Sequence, residues 1–322
     1  MTADGDLFGT EPPSKLRLYQ PLLTASENQK GVLDVDTVKG CTLGMRAYPE
    51  GGCYGECYAQ KTAARYGIDF SVSVSRKLTP WNRRTVFFAI RDFPASWYRI
   101  GTSGDPCHDW ENTLEVCEAM QSTGKVPVII TKHWIPLTDD QIVRFKKVSA
   151  VFNTSTSGLD TDAQTKHRIR QIERLKSFGV ESVNRVVTCD YGDTPWAKKG
   201  KARQDYLLSI TPTIDNPLRA SKASKRVVDG GIKLTRVEHA VGGGKLVSLH
   251  SPHVYLGTCA SCPDQCGAKK VNVSVNEMTD GLVFSVPKEQ ARLFDDEAPV
   301  SAIEFVYVKS VIGSGYEADV SK

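Results

Sequence analysis

The sequence predicts an α/β protein, a partial or full (β/α) barrel with a C-terminal cysteine-rich extension. Three observations carry that expectation. Strand-like and helix-like segments alternate at least three times between Tyr98 and Cys189, the pattern of parallel strands joined by right-handed crossovers. Polar and reactive residues collect where those strands end, and the strands behind them are apolar. Six of the nine cysteines fall in two tight groups, one early and one late. The expected organisation is a lead-in over 1–31, a barrel core over 32–245 and a cysteine-rich region over 246–322.

The elements follow in order. Val32–Val38 largely alternates apolar with polar residues, as a half-buried strand does, and leads into Cys41. Tyr58–Tyr66 has helical composition and stops at Gly67. Arg83–Asp92 reads equally as helix or strand. Trp97–Thr102 is a strand ending in Ser103-Gly104-Asp105-Pro106. Trp110–Ser122 is a helix with Leu114, Val116, Cys117 and Met120 on its apolar positions, stopped by Gly124. Val126–Thr131 is a nearly continuous apolar run, suited to a strand buried on both faces. Thr138 caps a helix over Asp139–Val148, since Thr before acidic residues marks an N-terminus. Val151–Thr156 and Val180–Thr188 read as strands, with a basic amphipathic helix over Asp162–Phe178 between them. Beyond Asp190 the rhythm loosens. Asp205–Ile210 reads as helical, Pro212 and Pro217 as breakers, and Gly242-Gly243-Gly244 as a turn. Leu246–Leu249, Gly281–Val286 and Ala302–Val308 are further strand candidates.

Composition excludes several classes. With 322 residues, 40% hydrophobic and 24% charged, the chain suits a globular protein able to bury a core without disulfides. No apolar run approaches the ~20 residues of a membrane span, and the N-terminus has neither the basic patch nor the apolar stretch of a secretory signal. A cytoplasmic location is expected, where thiols stay reduced. Grouped cysteines then point to metal or cluster ligation. The net charge of +4 decides little. Its distribution includes two basic groups, Lys198, Lys199, Lys201 and Arg203, then Arg219, Lys222, Lys225 and Arg226. Both could meet phosphates or stand as solvated faces.

The early cysteines lie in GCTLGMRAYPEGGCYGECYAQKTAARYG, residues 40–67. Cys41, Cys53 and Cys57 give three thiolates, with glycines that let the backbone turn tightly. A structural zinc takes four ligands, whereas a [4Fe–4S] cluster can take three thiolates and keep one iron open. The order of parts, a cysteine triplet after the first strand and Ser103-Gly104-Asp105-Pro106 after the next, resembles the radical S-adenosylmethionine (radical SAM) superfamily over about residues 32–190. The spacing is C-x11-C-x3-C in place of the usual C-x3-C-x2-C, and Ser-Gly-Asp-Pro stands for Gly-Gly-Glu-Pro.

The resemblance implies a barrel of the radical SAM type and a [4Fe–4S] cluster on Cys41, Cys53 and Cys57. It places the methionine end of SAM against Ser103, Gly104 and Asp105, the ribose near Ser155 and Ser157, and the SAM carboxylate near Arg185. The reaction implied is one-electron cleavage of SAM and hydrogen abstraction from a substrate, with an electron donor of flavodoxin or ferredoxin type. Cys259, Cys262 and Cys266, in CASCPDQCG, would hold either an auxiliary iron–sulfur cluster, with Cys189 or Cys107 as fourth ligand or with an open iron, or zinc, with His250 or His253. The basic groups make a nucleic acid or nucleotide the first candidate substrate.

Other readings stay open at this point. Asp105 taken alone reads as an ordinary turn residue, Ser155 and Ser157 read equally as satisfying backbone groups, and Lys132 and His133 read as a capped strand end or, alternatively, as catalytic or pocket-lining residues. Cys117 reads as core. An enzyme alternative is a zinc-containing barrel that exchanges or cleaves a nucleobase with Asp105 as nucleophile. A non-enzymatic one is a zinc-dependent nucleic-acid-binding module.

Overall fold

Seven strands form one sheet in the computed structural model, which describes residues 16–239 and 243–271. They are β1 (Ser26–Glu27), β2 (Leu33–Asp34), β3 (Trp97–Ile100), β4 (Val126–Thr131), β5 (Val151–Ser157), β6 (Ser182–Thr188) and β7 (Thr213–Pro217). Their order across the sheet is their order along the chain. β1 pairs antiparallel with β2, and every later pairing is parallel. The fold is therefore mixed α/β with a mostly parallel central sheet.

Because each strand adds beside its predecessor in one direction, right-handed crossovers carry the intervening helices to a single face. The helices are α1 (Thr42–Ala47), α2 (Tyr58–Arg65), α3 (Pro80–Arg91), α4 (Trp110–Met120), α5 (Asp139–Lys147), α6 (Asp162–Ser177), α7 (Pro195–Leu208) and α8 (Lys225–Val228). Period-two alternation along the strands separates the two faces. Tyr98, Ile100, Ile129 and Phe152 pack into a core with Val86, Leu114, Phe145 and Leu175 of the helices. Trp97, Val128, Val151 and Val183 point the other way and meet Cys266 and Ala268 from the late cysteine segment. Fully buried side chains such as Leu114 and Phe145 each contribute about 1.5–3 kcal/mol.

Local chemistry accounts for the helix ends. Thr138 accepts from the Gln141 N–H at 3.2 Å while Gln141 accepts from the Thr138 N–H at 3.1 Å, a capping box. Thr161 with Gln164 makes another, and Thr79, Pro80 and Asn82 a third. That third cap decides the ambiguous 83–92 stretch as helix. Gly124, at φ +68°, closes the α4 region.

Three departures from the sequence reading have physical causes. The strand expected over Val32–Val38 breaks into β2 and Val38–Lys39, the latter paired antiparallel with Val74–Ser75; between them the buried Asp36 turns its carboxylate to the next strand's turn. Between the prolines read as breakers, Thr213–Pro217 forms an edge strand on β6, the sheet position where proline is tolerated. The helix expected from Asp205 begins at Pro195, capped by Thr194. Thr235–His239 and Gly243–Val247 pair antiparallel. The strand candidates at 281–286 and 302–308, residue Gly242 and residues 1–15 of the lead-in lie outside the described residues. Residues 246–271 belong with the preceding chain to one unit, Met1–Asn276. Among the described residues no helix is long and apolar enough to cross a membrane.

His133 belongs to this frame. It sits at φ +49°, fully buried, stacked on Phe152 at 5.9 Å between ring centres, its Nε2 3.2 Å from Thr154 Oγ1. Burial, aided by His167, Arg168 and Arg174, drives its pKa down to about 3 despite the opposing Asp105. A histidine depressed in the fold contributes stability that is present above its unfolded value and lost as pH falls below it. The unfolding free energy from urea titration should therefore fall between about pH 6.5 and pH 3, by up to about 1.4 kcal/mol per pH unit from this group. His133→Gln should flatten that drop.

Candidate functional site

A cavity of about 1190 Å³ reaches from the strands to their carboxyl ends, with residues of α1 and α2 on its wall, and all six grouped cysteines line it. Two trios that lie some 200 residues apart in sequence thus share one space.

The early trio is built by short helical turns. Cys41 caps α1 and Cys57 caps α2, with Cys53 opening the turn Tyr54–Glu56 between them. The Cys41 N–H donates to Phe70 O at 2.8 Å. Burial pushes the Cys57 thiol up to about 12, and Cys53 adds to the rise, while the N–H groups of Gln60 and Ala59 oppose it. Those donors stand at a helix N-terminus, where negative charge is favoured. Glu56, almost wholly buried, locks the loop: it accepts from Ser224 Oγ and from Arg226 Nη1, both at 2.9 Å, and Arg226 also donates to Gly52 O. Gly44 keeps the loop open, since a Cβ there would lie 2.5 Å from Cys41 Sγ. Gly44→Ala should displace that sulfur. It should lower metal loading severalfold while circular dichroism stays that of the parent chain.

The Ser103–Pro106 turn is tethered to this loop. The Gly40 N–H donates to Ser103 O at 3.0 Å, and a Cβ on Gly104 would meet Val38 O at 2.4 Å, so only glycine admits the neighbouring strand. Asp36 accepts the N–H groups of Gly101, Thr102 and Ser103 at 2.9, 2.7 and 3.0 Å. Its role escapes a sequence reading because it looks like one polar member of an alternating strand. Asp105 faces inward, and its oxygens accept from Thr131 Oγ1 at 2.7 Å, the Lys132 N–H at 2.8 Å and the Cys107 N–H at 3.1 Å. Those bonds bind the turn to the end of β4 and commit the carboxylate, leaving it poorly placed as the nucleophile of the nucleobase alternative.

The other candidates divide. Ser155 lines the cavity. Ser157 is fully buried, donating to Val187 O at 3.0 Å and accepting from the Leu159 N–H; its hydroxyl serves the strand end. Arg185 lines the cavity but lies against the late trio, Nη1 3.6 Å from Cys266 Sγ and Nη2 bonded to Asn216. Cys107 and Cys189 are buried in apolar clusters, whereas His250 and His253 line the cavity, His250 beside Asp215 at 3.2 Å. Cys117 is core, as expected. Lys132 lines the cavity with its Nζ 3.6 Å from the buried Asp160 and without a hydrogen-bond partner among the described residues. Trp134 Nε1, on the same wall, is likewise buried and unpaired.

The late trio is fixed to the sheet. The Cys259 N–H donates to Lys30 O at 2.8 Å, and Asn153 Nδ2 donates to Cys266 O at 2.8 Å. Gly267, at φ +88°, lies against Val183 and Val151. Among the described residues, no three His, Cys, Asp or Glu side chains gather around a single-ion position.

The basic groups separate too. Lys198 and Lys199 are exposed on α7, while Lys201 pairs with Asp205 and Arg203 with Asp162. In the second group Lys222 and Lys225 are exposed, Arg226 holds the cysteine loop, and Arg219 lines the cavity. Compared with known protein families and with curated proteins, the chain matches none.

Proposed function

We propose that the chain is a radical SAM enzyme on a partial (β/α) barrel formed by the parallel strands β2 to β7. The observation that supports this best is the shared cavity at the strand ends, lined by the early cysteines, the Ser103–Asp105 turn and Ser155 together. Ligands of parallel α/β sheets bind at that end.

The residues present fit the cofactors. Cys41, Cys53 and Cys57 offer three thiols to one cavity, which suits a [4Fe–4S] cluster with one iron left for SAM. Trp134 Nε1, buried without a hydrogen-bond partner, and Lys132 Nζ, beside Asp160 at 3.6 Å but likewise without a hydrogen bond among the described residues, are donors suited to a polar ligand. When bound, the cluster supplies the electron that splits the sulfonium bond of SAM and so starts hydrogen abstraction. The chain's own groups do the positioning. Asp36 and Asp105 fix the turn whose main chain would meet the methionine end, and Ser155 on the cavity wall would be available to a ribose hydroxyl. Glu56 and Arg226 keep the cysteine loop closed against water. An external one-electron donor of flavodoxin or ferredoxin type completes the reading. The late trio would hold a second iron–sulfur group; its sulfurs do not gather with His250 or His253 around a single-ion position among the described residues, which speaks against zinc there.

Anaerobic purification with iron and sulfide counted per chain tests this directly. About four of each is expected for one cluster and about eight for two. Release of 5′-deoxyadenosine from SAM under dithionite should follow. A colourless chain that carries zinc, and takes up no iron on reconstitution, overturns the reading in favour of the zinc alternatives.

A further inference from the structure

The cavity wall between the two cysteine trios carries more positive charge than the chain neutralises. Lys30, Arg99, Arg185 and Arg219 all line it. Arg99 reaches toward Cys259 Sγ at 3.9 Å and Arg185 toward Cys266 Sγ at 3.6 Å. Arg219 stands 5.5 Å over the Tyr58 ring, within electrostatic range of Arg99, Arg185 and Cys259, and Lys30 feels the same three arginines. One carboxylate, Asp34, offsets them, bound to Arg99 at 2.8 Å. Lys30, Arg185 and Arg219 form no ion pair among the described residues. Of the other carboxylates on the wall, Asp215 accepts from Thr188 beside His250, Glu56 pairs with Arg226, Asp105 is bonded to the β4 end and Asp264 is exposed; among the described residues none of them is ion-paired with Lys30, Arg99, Arg185 or Arg219.

Immediately around these four cations only Asp34 is ion-paired, a local excess of three positive charges; the Asp105 and Asp215 carboxylates stand elsewhere on the wall. Three thiolates on a doubly charged metal or cluster core carry one net negative charge, so filling the late trio still leaves two. Like charges held together in a half-buried cavity destabilise the fold unless an anion joins them. A phosphate monoester carries about −1.5 to −2 at neutral pH, and guanidinium forks match its oxygens.

We infer that the substrate carries a phosphate group, seated between Lys30, Arg99, Arg185 and Arg219 in the cavity between the two cysteine trios. The exposed lysines of α7 are outside this site. The substrate class rests on the radical SAM reading only in what is then done to the bound molecule; the anion site itself stands on the charges. It places the reacting part of a phosphorylated metabolite or nucleotide toward the early trio and its phosphate toward the late one.

Calorimetric titration of the full chain, purified anaerobically, tests the site independently of turnover. The probes are inorganic phosphate, a nucleoside 5′-monophosphate, the matching nucleoside, and acetate. Saturable one-to-one binding is expected for the first two, with the nucleoside and acetate at least about tenfold weaker. Arg185→Gln and Arg219→Gln should each weaken phosphate binding about tenfold, and Lys198→Gln should leave it unchanged. Thermal midpoints of Arg185→Gln and Arg219→Gln without ligand should equal or exceed the parent's, because repulsion is relieved. Binding of acetate as tight as phosphate overturns the phosphate assignment. So does absence of saturable binding, equal weakening by Lys198→Gln, or retention of full affinity in both arginine variants. Iron content and 5′-deoxyadenosine release, measured on the same preparations, report separately on the radical reading.

Discussion

On the radical SAM proposal, Cys57→Ser protein should emerge from anaerobic reconstitution with about four fewer irons per chain than its parent and should release no 5′-deoxyadenosine above background. That amounts to a loss of at least about 10³-fold, because the chemistry belongs to the cofactor and no side chain can replace it. The substitution exchanges one atom, and the loop around it is held by other bonds: the residue-57 N–H to Tyr54 O at 3.1 Å, and Glu56 to Ser224 and Arg226. The fold should therefore survive, so lost iron reports on ligation. Cys262→Ser is the necessary counterpart. It lies in the same cavity but in the other trio. If the trios hold separate groups, Cys262→Ser should remove only the late group's metal and leave reductive SAM cleavage within a few fold of the parent. Full iron and full turnover in Cys57→Ser would sink the assignment of the early trio. Equal loss of all iron in both variants would mean that the six sulfurs serve one group.

Much of the frame was legible because local signals agreed with the global fold. The apolar run Val126–Thr131 and the Thr-capped helices after it are each set by residues adjacent in sequence, and they appear within a residue or two of expectation. The site was legible only in its types. Cysteine spacing identifies donors, but nothing local says that Cys259, Cys262 and Cys266 return to the cavity of Cys41. That depends on Asn153 and Val183 meeting the late segment from strands about a hundred residues earlier. Asp36 shows the same gap. Its three hydrogen bonds run to a turn 65 to 67 residues away, so period-two patterning registers its polarity and misses its purpose. The second basic group was legible only as two open readings, phosphate contact or solvated face, for a related reason. Arg219 and Arg226 read as surface charge by composition, yet one faces the cavity and the other closes the cysteine loop.

Asp160→Asn should be among the most destabilising single changes in the chain, costing about 3–5 kcal/mol and lowering the thermal midpoint by about 10 °C. Asp160 is fully buried. It pairs with the equally buried Arg168, stands 3.6 Å from Lys132 Nζ, and accepts the Ser157 N–H at 2.8 Å. The amide keeps the shape and removes the charge, so two cations lose their shared counterion, and breaking one side of a buried pair costs far more than the pair is worth intact. Burial opposes ionisation of Asp160, but Arg168 and Lys132 outweigh it and hold its carboxyl below the usual range. The stabilisation is thus present above the unfolded carboxylate value of about 3.9 and is lost as pH falls through the folded one; Asp160→Asn should remove that portion of the acid transition. Arg168 also donates from Nε to Lys132 O at 3.0 Å and stacks 4.7 Å from the Trp134 ring, so the pair sets the cavity wall at the end of β4. Arg168→Met added to Asp160→Asn should cost much less than Arg168→Met alone, a coupling of about 1–3 kcal/mol in a double-mutant cycle. Strict additivity of the two changes would show that the carboxylate and guanidinium act separately, and that the wall is held by the Ser157 bond and packing instead.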